Sequence, residues 1–325
     1  MNCDGLAQYN MHYSNRKKSS RLSDPIRRAI KPALKTALWF IAVMVPVSFA
    51  VTMLQYWGIL EHIAHTLEPV CRIFGLRGEA ALVMVTSLTM NLYLSIAVIQ
   101  SIPFTGREIC IMALMALLAH NMIIETLVQM KTGSSGWQMV CLRLFGAAAG
   151  GLFLNLVLPE NNTITLHGIA SDNLPFIEIM QNWLLGTLSL MFKLVCIIVS
   201  LNILQRILEE FGVMAILARW ITPMLRPMGL PANSAFLWIV AFLVGLAYGA
   251  AILIEHRKEN KISAEDANLL NYHIALSHSQ LEDTSLFLAI GAGFIWITIP
   301  RIVLAIIAVW ALKNIKTLIC QKSHL

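Results

Sequence analysis

The 325-residue chain carries a formal net charge of +6, yet only 13% of its residues are charged and 57% are apolar, giving a mean hydropathy of +0.69. A soluble globular chain would hold roughly 25% charged residues, so a free-standing soluble protein is excluded and lipid is the expected solvent. The basic excess does not mark a nucleic-acid binder. Lys and Arg gather near the two ends, as Arg16-Lys17-Lys18, Arg27-Arg28 and Lys31, then Lys313, Lys316 and Lys322, where positive flanks beside membrane helices set orientation.

In chain order, residues 1–34 lack the apolar core of a signal peptide and read as a polar cytoplasmic tail, with Pro25 and Pro32 leading into the first span. Apolar segments follow at 37–56, 80–99, 109–128, 142–158, 183–204, 236–254 and 287–310; crossing a bilayer takes about 20 residues. Strand-like alternation is missing, which removes a β-barrel. Segments 59–74 and 213–228 are amphipathic: Ile63, Leu67, Val70 and Ile73 oppose Glu61, His65, Glu68 and Arg72. Such helices lie in the interface plane. The cysteines, Cys3, Cys71, Cys110, Cys141, Cys196 and Cys320, show no CxxC spacing, so neither a zinc site nor a disulfide framework is indicated. Asn161-Asn162-Thr163 fits a glycosylation sequon.

An internal repeat organises the chain. His120-Asn121-Met122-Ile123-Ile124-Glu125-Thr126 matches His278-Ser279-Gln280-Leu281-Glu282-Asp283-Thr284 at an offset of 158, and the same offset relates Arg143 to Arg301. Both halves thus read H-x4-[E/D]-T-x16-R. Upstream, Tyr56-Trp57-Gly58-Ile59-Leu60 parallels Glu210-Phe211-Gly212-Val213-Met214, and Pro69, Arg72, Gly75 and Leu76 parallel Pro223, Arg226, Gly229 and Leu230, at an offset of 154. The expected organisation is a first repeat over 35–158, a linker at 159–181, a second repeat over 182–315 and a short tail over 316–325.

Charge then sets the topology. The basic termini belong in the cytoplasm. The linker holds Glu160, Asp172 and Glu178 but no Lys or Arg, which puts it outside. Each half must therefore cross an odd number of times, so one segment in each re-enters. The candidates are 80–101, interrupted by Thr86, Ser87, Thr89, Asn91 and Ser95, and 232–255, interrupted by Gly245 and Gly249. A broken hairpin at membrane depth needs its unpaired backbone buried in protein or facing a cavity. The basic loop 256–261 and Lys131 then fall inside and loop 101–106 outside. The expected fold is all-α: about six transmembrane helices, two re-entrant hairpins and two interfacial helices, in two inverted repeats of a multi-pass protein of the bacterial cytoplasmic membrane; the alternative is eight ordinary spans in a parallel repeat, with the linker inside and the 256–261 loop outside.

The amphipathic helix ending in Gly-Leu, the polar hairpin and the H-x4-[E/D]-T helix resemble the nucleoside-recognition or Gate domain. That domain occurs in spore-maturation membrane proteins and in the membrane part of the ferrous-iron transporter B, and it is distantly similar to the core of concentrative nucleoside transporters. The resemblance covers about residues 37–312 and implies an inverted-repeat, transporter-like fold with hairpins meeting near the midplane. The phosphate-loop pattern GxxxxGK[ST] is missing, so a GTPase portion is not expected.

Ionisable groups inside a membrane are costly and therefore candidate functional residues. Glu125 and Asp283 lead, with Asn121 and Ser279 four residues earlier on the same helical face, and His120 and His278 adjoining. Together they could bind a polar solute, relay protons or ligate a divalent cation, with His120, Glu125, His278 and Asp283 as the ligands. Arg143 and Arg301 are expected as ion-pair partners of Glu125 and Asp283. Asn91, Tyr93, Ser95, Gly245, Tyr248 and Gly249 should line the hairpin breaks, with Asn91 and Tyr248 as substrate contacts. Lys193, in the middle of 183–204, either snorkels or acts as counter-ion to a carboxylate or an anionic substrate. The expected activity is transport of a nucleoside-like compound or divalent cation; a non-transporting scaffold and an intramembrane metal-dependent enzyme are the alternatives. No cofactor class is indicated. The expected partners are the bilayer, the small-molecule or ion substrate and a second copy in a homodimer.

Overall fold

The structure, a computed structural model, describes residues 23–160 and 174–322. The basic run at 16–18, Cys3, Asp172 and the sequon at 161–163 lie outside the described residues. All regular elements among those residues are helical. The first half comprises α1 (Ser23–Tyr56), α2 (Ile59–Arg72), α3 (Ala80–Thr89), α4 (Leu92–Ser101), α5 (Gly106–Ala119), α6 (Met122–Lys131) and α7 (Gly136–Val157). The second comprises α8 (Phe176–Glu210), α9 (Val213–Leu225), α10 (Ala235–Leu243), α11 (Leu246–Lys258), α12 (Ala264–Ser277), α13 (Glu282–Leu288) and α14 (Phe294–Lys322).

Local signals recur at the repeat offsets. Gly58 and Gly212 both start the amphipathic helices α2 and α9 from a left-handed conformation, with φ of 70° and 68°. Gly75 and Gly229 stop them at φ of 66° and 80°, where glycine pays no Cβ penalty. Thr105 and Ser263 cap α5 and α12, accepting from the amides of Glu108 and Asp266; Glu108 returns the bond to the Thr105 amide and completes a capping box. On α2 the apolar side chains Ile59, Ile63, Val70 and Ile73 are exposed, as an interfacial helix with its apolar face toward lipid would have them.

The long helices α1 and α8 begin the two halves and pack along each other. Small residues Ala29, Ala33 and Ala37, all buried, recur every turn on α1 and let the backbones approach. The helix starts at Ser23 and runs through Pro25, so it reaches back into the segment expected to be tail; proline in a first turn removes no internal bond. Ser48 Oγ on α1 takes a bond from Trp183 Nε1 of α8 at 3.1 Å and meets Ser101 Oγ of α4 at 3.0 Å. Among the described residues, five helices are long and apolar enough to cross a membrane: 25–56, 106–131 counted through its break, 136–157, 176–210 and 294–318. The sixth expected position is filled by α12 and α13, whose Glu265, Asp266, Asn271 and His273 keep that pair out of the apolar class.

Both expected hairpins are broken. Asn91 adopts extended backbone between α3 and α4, and its Oδ1 accepts from the Leu94 amide at 3.1 Å. Gly245, at φ 130°, separates α10 from α11. Beyond that break the chain folds back so tightly that a Cβ on Gly249 would lie 2.6 Å from the Ala241 Cβ. Two further breaks correct the reading of 109–128 and 287–310 as continuous helices. His120 and Asn121 separate α5 from α6, and 278–281 separate α12 from α13, with α14 starting only at Phe294. Asn121 and Ser279 turn the chain with φ of 46° and 50°, and the backbone groups this frees need partners.

Candidate functional site

Those partners come from the hairpins. The Asn121 amide donates to the Ser87 carbonyl at 2.8 Å; in the other repeat the Ser279 and Gln280 amides donate to the Ala241 and Phe242 carbonyls at 3.1 and 2.6 Å. Each broken α5–α6 or α12–α13 pair is thus stitched to the hairpin of its own half. Asn121 and Ser279 act here through backbone, not as neighbours on a continuous helix. The i to i+4 relation survives, since the amides of Glu125 and Asp283 donate to the carbonyls of Asn121 and Ser279 at 3.1 Å.

Arginines lock the breaks from outside. Arg143 Nε donates to the Leu118 carbonyl at 3.2 Å and Nη2 to that of His120 at 2.5 Å; Arg301 repeats both bonds with Leu276 and His278 at the same distances. Both side chains are fully buried. The symmetry then stops. Arg143 Nη2 also pairs with Glu125 Oε2 at 2.9 Å, whereas Arg301 and Asp283 form no ion pair within 4.0 Å. The expected Asp283–Arg301 bridge is therefore not made: Arg301 holds its two carbonyls as Arg143 does, but the Asp283 side chain is one methylene shorter than that of Glu125.

The two histidines meet between the repeats, ring centroids 5.2 Å apart. His120 Nδ1 faces the Ala116 carbonyl at 3.1 Å and His278 Nδ1 the Ile274 carbonyl at 2.8 Å. A carbonyl only accepts, so each Nδ1 carries the proton and each Nε2 of a neutral ring presents a lone pair. Yet His120 Nε2 lies 2.9 Å from Glu125 Oε1 and 3.8 Å from Asp283 Oδ2, and His278 Nε2 lies 3.3 Å from Glu125 Oε2. Two acceptors facing each other at that range need a proton or a cation between them. Among the described residues, Nε2 of His278 and Oδ2 of Asp283 meet no hydrogen-bond donor.

His120, His278 and Asp283 bring ligand atoms within 4.8 Å of one another, enough for metal coordination by distance. Charge argues against a divalent occupant: Arg143 and Arg301 already balance Glu125 and Asp283, and two added positive charges in a buried site would stand uncompensated. A proton, or a neutral solute carrying donors and acceptors, fits the balance better.

Other expected residues lie elsewhere. Lys193 is exposed on α8 and pairs with neither Glu125 nor Asp283, which corrects its role as their counter-ion; its long stem leaves it free to snorkel. Tyr248 is half exposed and lines a separate small cleft with Glu209, Met214, Phe236 and Val244, where its hydroxyl meets Glu209. Asn91 serves as a helix cap. A contact absent from the expectations joins the halves: Tyr93 on α4 donates to Glu282 Oε1 on α13 at 2.7 Å. The signal for it was Glu282 itself, a carboxylate where the first repeat has Ile124.

The sequence profile of the Gate family, described as nucleoside recognition, matches residues 37–134 and 191–310. The chain belongs to this family. It is 28% identical over 280 residues to YvoD, an uncharacterised membrane protein of Bacillus subtilis (strain 168), covering 84% of this chain and 88% of that one. It also superposes on a double variant of CNTnw solved in an outward-facing state, with a TM-score of 0.52 at 14% identity, over 94% of this chain and 86% of that one; at that identity the likeness is one of fold.

Proposed function

We propose that this Gate protein moves a small, neutral, nucleoside-like solute through a site between its two repeats, with a proton on the His–carboxylate cluster as the coupling ion. The observation that carries the reading is the meeting of two symmetry-related helix breaks at His120, Glu125, His278 and Asp283. Substrate sites in inverted-repeat transporters lie where such half-helices converge. Nε2 of His278 and the Asp283 carboxylate offer acceptors, and the breaks supply backbone groups, a set suited to ribose hydroxyls and base edges. In this reading the repeats are inverted, both termini face the cytoplasm of a bacterial inner membrane, and residues 35–158 and 182–315 are the working units.

A thermal-shift screen of the purified protein tests the substrate class. Nucleosides or nucleobases should raise the melting temperature, by the mass action of a ligand that binds only the folded state. A shift with divalent metals alone would refute the solute reading. Topology is tested separately. Single cysteines placed in loops 101–106 and 256–261 of a cysteine-depleted background should label from opposite membrane sides; labelling from one side refutes the inversion.

A further inference from the structure

A group of buried polar residues that the central cluster leaves unused, three of them with unpaired side-chain atoms, gathers around the end of α6. On α6, Thr126 and Gln129 continue the buried face that carries Glu125. Gln129 is fully enclosed, and among the described residues neither its amide nitrogen nor its oxygen meets a hydrogen-bond partner; the buried Thr126 hydroxyl is likewise unpaired there. Past the end of α6, Asn271 Nδ2 of α12 donates to the hydroxyls of Thr132 and Ser134, each at 2.8 Å. Thr132 donates to the Gln129 carbonyl at 2.9 Å and Ser134 to Asn268 Oδ1 at 2.6 Å. Asn271 is 1% exposed and its Oδ1 is unpaired. It lies two turns before His278 on one helical face. The series ends at half-buried Asn268, against the loop that holds exposed Lys131 and Gly133.

At the repeat offset of 158 the same positions in the other half are apolar. Gln129, Thr132 and Ser134 become Phe287, Ile290 and Ala292, and Asn268 and Asn271 become Cys110 and Ala113, all buried. One arrangement of backbone therefore carries a polar filling where the end of α6 meets α12 and a dry one where the end of α13 meets α5. Unpaired amides enclosed in protein cost free energy unless water satisfies them, and a polar, roomy interior site is where buried water binds.

We propose that Thr126, Gln129, Thr132, Ser134, Asn268 and Asn271 form a water file that delivers protons from the membrane face bearing Lys131 to Glu125, while the Phe287–Ala292 counterpart seals the opposite side. An arriving hydronium hands its proton along the waters to a Glu125 carboxylate oxygen, and release runs the same bonds in reverse with no change of oxidation state. Glu125 is faced by His120 at the end of α5, Arg143 of α7 and His278 at the end of α12; Asp283 of α13 lies across His120, and Arg301 of α14 behind His278. The α3 and α11 helices, which also pack on α6, place no ion-pair partner on Glu125. The inference rests on the central cluster being the proton site.

Hydrogen–deuterium exchange of the imidazole N–H groups of His120 and His278, followed by NMR on the histidine-labelled full chain in lipid, tests it. Their signals are assigned by His120→Gln and His278→Gln. In the wild type, exchange should finish within minutes of adding D2O. Gln129→Leu removes a side chain with no protein partner and so should fold normally; it should slow exchange at least tenfold, and Gln129→Leu with Asn271→Leu further still. Phe287→Leu, in the dry counterpart, should leave the rate unchanged. Wild-type rates in a folded Gln129→Leu protein overturn the file, as does equal sensitivity to Phe287→Leu. If Glu125→Gln fails to shift the two imidazole signals, the central cluster reading falls, and the file with it.

Discussion

Replacing Arg143 with Met should lower the melting temperature far more than replacing Arg301 with Met. Each arginine closes one helix break by bonding two backbone carbonyls, so either loss orphans two buried acceptors, at about 1–3 kcal/mol per group. Only Arg143 also holds a carboxylate, Glu125, at 2.9 Å. Removing one partner of a buried pair leaves an uncompensated charge and costs about 3–5 kcal/mol. The excess in Arg143→Met should therefore be of that order, and Arg143→Met with Glu125→Gln should recover much of it. Thermal unfolding of the four proteins in one detergent checks this. Equal losses for the two arginine variants, or no recovery in the double variant, would show that the pair does not hold the first break.

The repeat was legible because the two halves had to solve the same problem. A membrane-buried break needs its freed carbonyls capped, and in both halves the cap is an arginine at the same distance along the chain. That constraint wrote H-x4-[E/D]-T-x16-R twice. The hairpin breaks showed through Asn91, a cap residue, and Gly245, whose φ suits glycine alone. The breaks at 120–121 and 278–281 did not show. Asn121 tolerates left-handed backbone and gave a faint hint, whereas Ser279 gives none, and the flanking apolar residues carry a helical pattern straight through. What broke the symmetry was also hidden. Asp283 and Arg301 match Glu125 and Arg143 as residue types, yet only one pair closes, and that depends on packing angles no spacing encodes. Lys193 misled for a related reason: its depth along α8 could be counted, but the side of the helix it occupies could not. The polar filling around Gln129 was hidden because its members come from two distant segments that meet only in the folded chain.

The asymmetry between the carboxylates yields the other large effect. Asp283→Asn should abolish solute uptake into proteoliposomes, by at least a hundredfold, while leaving the melting temperature unchanged or higher. Among the described residues, Asp283 pairs with no arginine and has only His120 Nε2, at 3.8 Å, as a candidate ionic partner. An enclosed charge so poorly paired is a net cost to the fold, and asparagine keeps the shape while removing the charge. Glu125→Gln should also abolish uptake but should destabilise, because it takes the charge away from the Arg143 pair. A residue kept for packing would show the reverse pattern, with activity falling only as stability falls. Groups held at a cost to the fold are those that function requires. Wild-type uptake by a stable Asp283→Asn protein would remove that carboxylate from the mechanism and leave Glu125 and the two histidines to carry it alone.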